Sequence, residues 1–173
     1  MIQRMIILAV LCNPSWQYSH SWRTAATRKE VAKVLGQLRS ILEESLPKEV
    51  ASKVYLVGDE LIKNSLEHGC FGIGANRKAE LLGVGEFEEF LAKAEQNAAA
   101  DQWIDLDLQL GPEQVLLKVR DSGAGYQLDK AINEKSPDLA RLSQRGLQIA
   151  QSLSSELIVD ANPTQTKAYF NLR

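Results

Sequence analysis

The segment DELIKNSLEHG, residues 59–69, places a carboxylate, an amide and an imidazole four residues apart, at Glu60, Asn64 and His68. Residues four apart on an α-helix lie nearly above one another, so these side chains form one row along a helix edge. An acid and an amide suit Mg²⁺, which takes oxygen ligands and keeps several waters. The carboxylate could instead accept a proton from a nucleophile. A solvated helix edge would show the same spacing, so the row alone leaves all three interpretations open.

A second candidate is DSGAG, residues 121–125, in which Asp121 ends an apolar strand pattern. Gly123 and Gly125 would let the backbone approach a ligand without interference from a Cβ atom. An ionised carboxylate is purely an acceptor and could bind an exocyclic amine such as that of adenine. A plain turn is the alternative, because Asp, Ser and Gly all favour turns.

The third candidate is QRGLQIAQSL, residues 144–153. Arg145 and Gly146 open a predicted helix, and the free N–H groups at a helix N-terminus can bind phosphate. Taken alone, the segment is equally well explained as an ordinary helix boundary.

Two helices are predicted upstream of these candidates, because apolar residues recur there at helical period. Thr27 and Glu30 have the spacing of a capping box at the start of the first helix, and Pro47 separates the two. Gly69 is predicted to end the second helix. The expected core positions are Val31, Val34, Leu35, Leu38, Ile41 and Leu42, then Val50, Val54, Val57 and Leu61.

Strict alternation of apolar and polar residues in WIDLDLQL and QVLLKVR, joined by GPE, predicts an antiparallel hairpin with one wet face. YSHSW, ELIVDA and KAYFNL are further candidate strands, and GLQIAQSL is a short helix. The order of elements predicts an α+β fold, a two-layer sandwich with helices covering one face of the sheet.

The chain of 173 residues fits a single domain, residues 1–173. Residues 1–20 are interpreted as a leader or first strand, because the apolar run from Met5 to Cys12 is too short to span a bilayer. Residues 71–102 are interpreted as an insertion with a surface helix in its second half. Two cysteines are too few for a disulfide framework, which favours a reducing, cytoplasmic location.

The balance of charge makes two classes of partner unexpected. Twenty basic residues balance twenty-two acidic ones, and 45% of residues are hydrophobic. A protein that binds nucleic acid or a membrane surface usually carries a basic patch. With charges this evenly balanced, neither is expected as a partner.

Taken together, ELIKNSLEHG, VRDSGAGY, RGLQIAQSL and TKAYFNL occur in an order that resembles the Bergerat-fold (GHKL) ATPases. Within that superfamily the chain is most similar to bacterial anti-sigma-factor serine kinases, whose helix commonly reads Glu-x-x-x-Asn-x-x-x-His-Gly. The resemblance runs from about Trp22 to Arg173. It implies a mixed, mostly antiparallel sheet, with ATP and Mg²⁺ as ligands.

The resemblance also implies roles for the first two motifs. Glu60 matches the general base that activates a serine hydroxyl or a water, and Asn64 matches the Mg²⁺ ligand. Asp121 matches the carboxylate that reads adenine, with Gly123 and Gly125 making room for the base. His68 fits the pattern and is interpreted as structural.

Roles for the later motifs follow in the same way. Residues 127–144 match a lid over the phosphates, Gly146 matches a phosphate-loop glycine, and Arg145 would reach the terminal phosphate. Thr166 matches a threonine that supports the aspartate. Two positions depart from the family pattern, which usually has glycine where this chain has Gln144 and Gln165.

Three functions are consistent with this pattern. The first is a Mg·ATP-dependent kinase that phosphorylates a serine of a regulatory partner, such as a sigma factor, an anti-sigma antagonist or a receiver domain. The second is an ATP-binding switch that binds such a partner with little or no phosphoryl transfer, which the Gln144 departure favours. The third, an empty scaffold, conflicts with the presence of Glu60, Asn64 and Asp121. Relatives often form homodimers, so a homodimer is also considered.

Overall fold

The computed structural model describes residues 16–98, 101–123, 146–160 and 165–172. In chain order the elements are β1 (Tyr18–Ala25), α1 (Arg28–Ser45), α2 (Lys48–Asn64), a π-helical turn (Ser65–Cys70), α3 (Ala75–Val84), α4 (Phe87–Asn97), β2 (Trp103–Leu110), β3 (Gln114–Asp121), α5 (146–153), β4 (Glu156–Val159) and β5 (Gln165–Asn171). The strands form one sheet in the order β1-β2-β3-β5-β4.

The sheet is antiparallel at every strand pairing of the described residues, which agrees with the predicted, mostly antiparallel arrangement. Burial alternates along β2 and β3 as the sequence pattern predicts. The buried side chains of one sheet face pack with those of α1 and α2 in a single hydrophobic core. The predicted α+β two-layer fold is therefore confirmed. The largest fully buried side chains are Leu38, Leu42, Ile62, Ile104, Leu106, Leu108 and Leu117.

Helix α1 begins as its sequence predicts. Thr27 is the N-cap residue, and its hydroxyl accepts a hydrogen bond from the backbone N–H of Glu30 at 3.3 Å. The reciprocal bond of a capping box is replaced, because the Thr27 N–H donates to the carbonyl of Ala25 at 2.8 Å and the Glu30 carboxylate pairs with Lys33 at 2.5 Å. Pro47 occupies the cap position of α2, where its missing N–H costs nothing.

The outer face of the sheet carries charge. Asp105 on β2 binds Arg23 on β1 and Arg120 on β3, each at 2.7 Å. Partial burial alone would raise the pKa of Asp105, but hydrogen bonds from the two guanidinium groups outweigh burial and lower it. Both guanidinium groups also lie over the Trp103 ring, at 4.2 and 5.2 Å from its centre.

The end of α2 differs from the sequence prediction. The α-helix ends at Asn64 rather than continuing to Gly69, and a π-helical turn covers Ser65–Cys70. The N–H of Phe71 donates to the carbonyl of Leu66, five residues earlier, at 2.9 Å. Such wide turns are rare and often lie at functional sites.

The segment at residues 71–102 contains two helices, α3 and α4, where the sequence predicted one. They enclose a small second hydrophobic cluster formed by Ile73, Leu81, Phe87 and Leu91. Lys78 joins this segment to the π-helical turn through a 2.5 Å ion pair with Glu67. The backbone N–H and the guanidinium Nε of Arg28, at the start of α1, both donate to the Glu95 carboxylate at 2.9 Å.

Several predicted features lie outside the described residues: the run from Met5 to Cys12, Gly125, Arg145, Gln144 and the predicted lid at 127–144. In the part of the chain that the structure describes, no helix has the length and apolar character needed to cross a bilayer.

Candidate functional site

The first and third motifs lie against each other. Glu60 and Asn64 are half-buried on one edge of α2. A Cβ atom added at Gly146, the first described residue of α5, would lie 2.2 Å from Oε2 of Glu60 and 3.8 Å from Nδ2 of Asn64. Only glycine allows α5 to approach the carboxylate this closely without displacing it. Glu60, Asn64 and Gly146 therefore form one end of the candidate site.

Asp121 forms the other end, at the last residue of β3. Its carboxylate is buried, with 6% of the residue exposed. Burial raises the pKa of Asp121 above the usual 3.8, because the charged form loses contact with water. The N–H of Gly123 donates to Oδ1 at 3.0 Å, and the Ser65 hydroxyl also donates to the carboxylate. These two bonds oppose the effect of burial and fix the orientation of the carboxylate.

The aspartate loop packs directly on the π-helical turn. A Cβ atom at Gly69 would lie 2.5 Å from Cγ of Asp121, and one at Gly123 would lie 1.9 Å from the carbonyl oxygen of Gly69. Neither position has room for a side chain. The second motif is therefore held against the end of the first by contact between two glycines.

The π-helical turn connects the two ends of the site. Asn64 is the last residue of α2, and the next residue, Ser65, donates to Asp121. Asn64 is therefore the chain neighbour of a residue whose side chain hydrogen-bonds the buried carboxylate. Ser65 and Gly69 were not singled out as site residues from the sequence, although both lie inside the motif that contains Glu60 and Asn64.

His68 does not continue the row of Glu60 and Asn64 into the site. Its imidazole is buried, and its Nδ1–H donates to the carbonyl oxygen of Ile73. Burial lowers the pKa of His68, and nearby Lys78 lowers it further, although the bond to Ile73 and the Glu67 charge act in the opposite direction. The neutral ring joins the π-helical turn to the start of the inserted helices.

Cys70 lies beside Asp121 as a neutral thiol. Burial, followed by the charge of Asp121, raises its pKa to about 11. Its Sγ donates a weak hydrogen bond to the carbonyl of Trp103 at 3.8 Å. It has neither the exposure nor the low pKa of a reactive cysteine.

Thr166 faces the same side of the sheet as Asp121. It pairs with Val119 across β5 and β3, and Asp121 is two residues beyond Val119. Thr166 and Asp121 are therefore diagonal neighbours on the inner face. Gln165 points to the outer face, because successive strand residues alternate. Its amide donates to Asp160 at 2.5 Å, so this departure from the family pattern leaves the inner face unchanged.

The oxygen atoms of Glu60 and Asn64 are hard donors of the kind Mg²⁺ uses. No cluster of three or more His, Cys, Asp or Glu side chains that could hold a metal ion occurs among the described residues. This donor set fits an ion bound mainly through phosphates and water rather than an all-protein cage.

Comparison with protein-family models identifies the domain. The family model of the histidine kinase-like ATPase domain matches residues 24–171. The search of curated proteins gives no match. The matched residues begin near the end of β1 and include α1, α2, β2 to β5 and all three sequence motifs. The chain therefore belongs to the histidine kinase-like ATPase domain family, and membership implies that it binds ATP.

Proposed function

We propose that the protein is a Mg·ATP-dependent kinase that transfers the γ-phosphate to a serine of a regulatory partner protein. The single observation that best supports this proposal is the position of Gly146, whose added Cβ would lie 2.2 Å from the Glu60 carboxylate. Glycine at this position lets α5 lie directly against the acid and beside the amide, which brings the predicted phosphate-binding segment to the proposed base and Mg²⁺ ligand.

At the adenine end, Asp121 would accept a hydrogen bond from the exocyclic amine. The Gly123 N–H and the Ser65 hydroxyl hold the carboxylate in one orientation. Site preorganisation of this kind lowers the entropy cost of binding. Gly69 and Gly123 keep side chains away from the aspartate, and Thr166 would support it from β5.

At the phosphate end, Asn64 would supply its amide oxygen to Mg²⁺, and Gly146 lets α5 lie against the Glu60 carboxylate. When bound, Mg²⁺ would neutralise negative charge on the β- and γ-phosphates. Glu60 would take the proton from the serine hydroxyl. As the serine Oγ–P bond forms, the bond between the γ-phosphorus and the bridging oxygen breaks, and ADP leaves with that oxygen.

A second function is favoured by how the site is connected to the inserted helices. The N–H of Ile73 donates to the carbonyl of Glu67 at 2.9 Å, and Lys78 pairs with the Glu67 side chain. Nucleotide bound beside the π-helical turn could change the position of α3 and α4 and so the affinity for a partner. In this alternative the protein is an ATP-dependent binding switch with little phosphoryl transfer.

For either function the proposed partner is a sigma factor, an anti-sigma antagonist or a receiver domain, in the cytoplasm where ATP is available. A homodimer is compatible with both functions. Neither needs a nucleic acid or a membrane.

The test begins with ATP binding. We expect a thermal shift with ATP that increases with Mg²⁺, and ligand at a hundred times its dissociation constant should add about 2.7 kcal/mol of stability. Wild type that shows no stabilisation by ATP would refute both functions.

Labelled ATP then separates the two functions. With a serine-bearing acceptor, Glu60→Gln should keep the thermal shift and lose transfer, because the amide cannot accept the proton. Phosphoryl transfer at the wild-type rate in Glu60→Gln would exclude Glu60 as the base. ATP binding without transfer in wild type, combined with an ATP-dependent partner affinity, would favour the switch.

A further inference from the structure

A groove lies between α1 and α2, outside the proposed nucleotide site. It has a volume of about 570 Å³ and is formed by the C-terminal half of α1 and the N-terminal half of α2. Its walls combine apolar surface with exposed charge, from Leu46, Tyr55, Leu56, Arg39, Glu43 and Lys48.

One wall of the groove is continuous with the proposed catalytic row. Lys48, Ser52 and Leu56 follow one another at the spacing of four that leads to Glu60. Residues at this spacing form a single ridge on a helix. Along the helix axis, Leu56 is about 6 Å and Lys48 about 18 Å from Glu60.

The groove has the surface of a docking site. Leu56 is 50% exposed, which is high for a leucine beside a cavity. Arg39 stacks over the Tyr55 ring at 4.2 Å. Among the described residues, Arg39 and Lys48 form no ion pair, and Glu43 is the only acid of the groove lining. The groove therefore offers an apolar anchor site and an excess of positive charge.

We propose that this groove docks the segment of the partner protein that carries the phosphoacceptor serine. The inference rests on the proposed kinase function and specifies its substrate. An extended peptide advances about 3.3 Å per residue. With the serine at Glu60, an apolar side chain about two to four residues away reaches Leu56 and Tyr55. A carboxylate about five or six residues from the serine, in the same direction along the peptide as the apolar residue, reaches Lys48.

The test is an array of synthetic peptides probed with the full chain. Each peptide carries one serine, one leucine and one glutamate, with the separations varied on both sides of the serine. We expect wild type to bind best when leucine is two to four and glutamate five or six residues from serine. Leu56→Asp should lose the leucine preference, and Lys48→Glu should prefer lysine to glutamate at the distant position. Leu82→Asp is the matched control, because Leu82 lies on α3, outside the groove, and is 47% exposed.

The two proposals fail in different ways. An ATP-dependent thermal shift without any spacing preference would overturn the groove proposal, as would equal losses in Leu56→Asp and Leu82→Asp. An unchanged glutamate preference in Lys48→Glu would also overturn it. A clear spacing preference in a protein that ATP does not stabilise would instead refute the proposed kinase function and leave the groove as a peptide-binding site.

Discussion

Replacing Gly146 with alanine tests the contact between α5 and the proposed catalytic base. The added Cβ would lie 2.2 Å from Oε2 of Glu60, whereas ordinary van der Waals contacts begin at 3.4 Å. The carboxylate oxygen must therefore move by about 1 Å, a displacement that can cost about 10²-fold in rate. Because the blocking atom ends a flexible side chain, the backbone can stay in place.

The fold should tolerate this substitution. Gly146 has a backbone conformation that other residues adopt readily, and alanine in a helix is more stable than glycine by about 0.5–1 kcal/mol. We expect Gly146→Ala to match or exceed wild type in urea unfolding and to keep its ATP-dependent thermal shift. Its steady-state turnover of Mg·ATP should fall by about 10²-fold. Gly36→Ala in α1 is the control, since no atom lies within 4 Å of the added Cβ there.

Two results would contradict this reasoning. Equal turnover in Gly146→Ala and Gly36→Ala would show that the position of Glu60 does not matter for the reaction. Loss of the ATP-dependent shift would mean that Gly146 acts on nucleotide binding rather than on Glu60. Gly123→Ala provides a contrast, because its Cβ would meet the backbone oxygen of Gly69 at 1.9 Å and no side chain can move to relieve the clash. That variant should lose stability and ATP binding together.

Three further predictions concern the surroundings of the site. Asp121→Asn should abolish the ATP-dependent thermal shift, and a retained shift would contradict the adenine assignment. The substitution should not lower stability at neutral pH, because burial raises the pKa of Asp121 and makes its charge costly in the folded state. Burial lowers the pKa of His68 below its usual 6.5, so the unfolded chain takes up the proton first and stability should fall as the pH drops below about 6.5. Urea unfolding at several pH values should show a weaker fall in His68→Gln, with His20→Gln as the control, and identical pH profiles in the two variants would refute this. Lys78→Met leaves the buried Glu67 carboxylate without its cation and should lower the free energy of unfolding by about 1–3 kcal/mol in the same assay. Lys93→Met removes an exposed ion pair and should change stability little. Equal losses in the two variants would contradict the buried-pair argument.

The sheet and the first two helices could be predicted because each has a one-sided pattern. In WIDLDLQL every second residue is apolar, and β2 buries those positions. The stripe of α1 is buried in the same way, from Val31 to Leu42. In both cases one face of the element packs on a single core, so the period of the apolar residues is enough to predict the type of element and its buried face.

The π-helical turn and α3 could not be predicted in this way. SLEHG continues the helical period of α2, so nothing local indicates a wider turn. The close contact of Gly69 with Asp121, and the bond from His68 to Ile73, depend on distant or later residues. Helix α3 buries Leu81 against Phe87 and Leu91, which belong to the next helix. Four glycines lie in or beside this stretch, and the sequence predicted a helix only in the second half of residues 71–102.

For the candidate site, the sequence indicated which residue types matter but not which of them meet. The motif order and the family resemblance pointed to Glu60, Asn64 and Asp121. Only the structure shows Gly146 against Glu60, and Gly69 against both Asp121 and Gly123. Contacts of this kind depend on how two elements approach each other, and a glycine in a sequence does not reveal which atom takes the place of its missing side chain.

Helix α2 carries the groove, the proposed base and the proposed Mg²⁺ ligand, and the π-helical turn adds the contacts to Asp121. A helix with one arrangement can align two substrates, but it transmits no conformational change from one to the other, because such a change requires an element with two states. A kinase with this layout should therefore bind groove peptides equally well with and without ATP. The switch function instead requires that ATP change the affinity for the peptide, and that the change be transmitted through an element other than α2. Measuring the affinity of one groove peptide with and without Mg·ATP separates the two, because a coupling of even 1.4 kcal/mol changes the dissociation constant about tenfold.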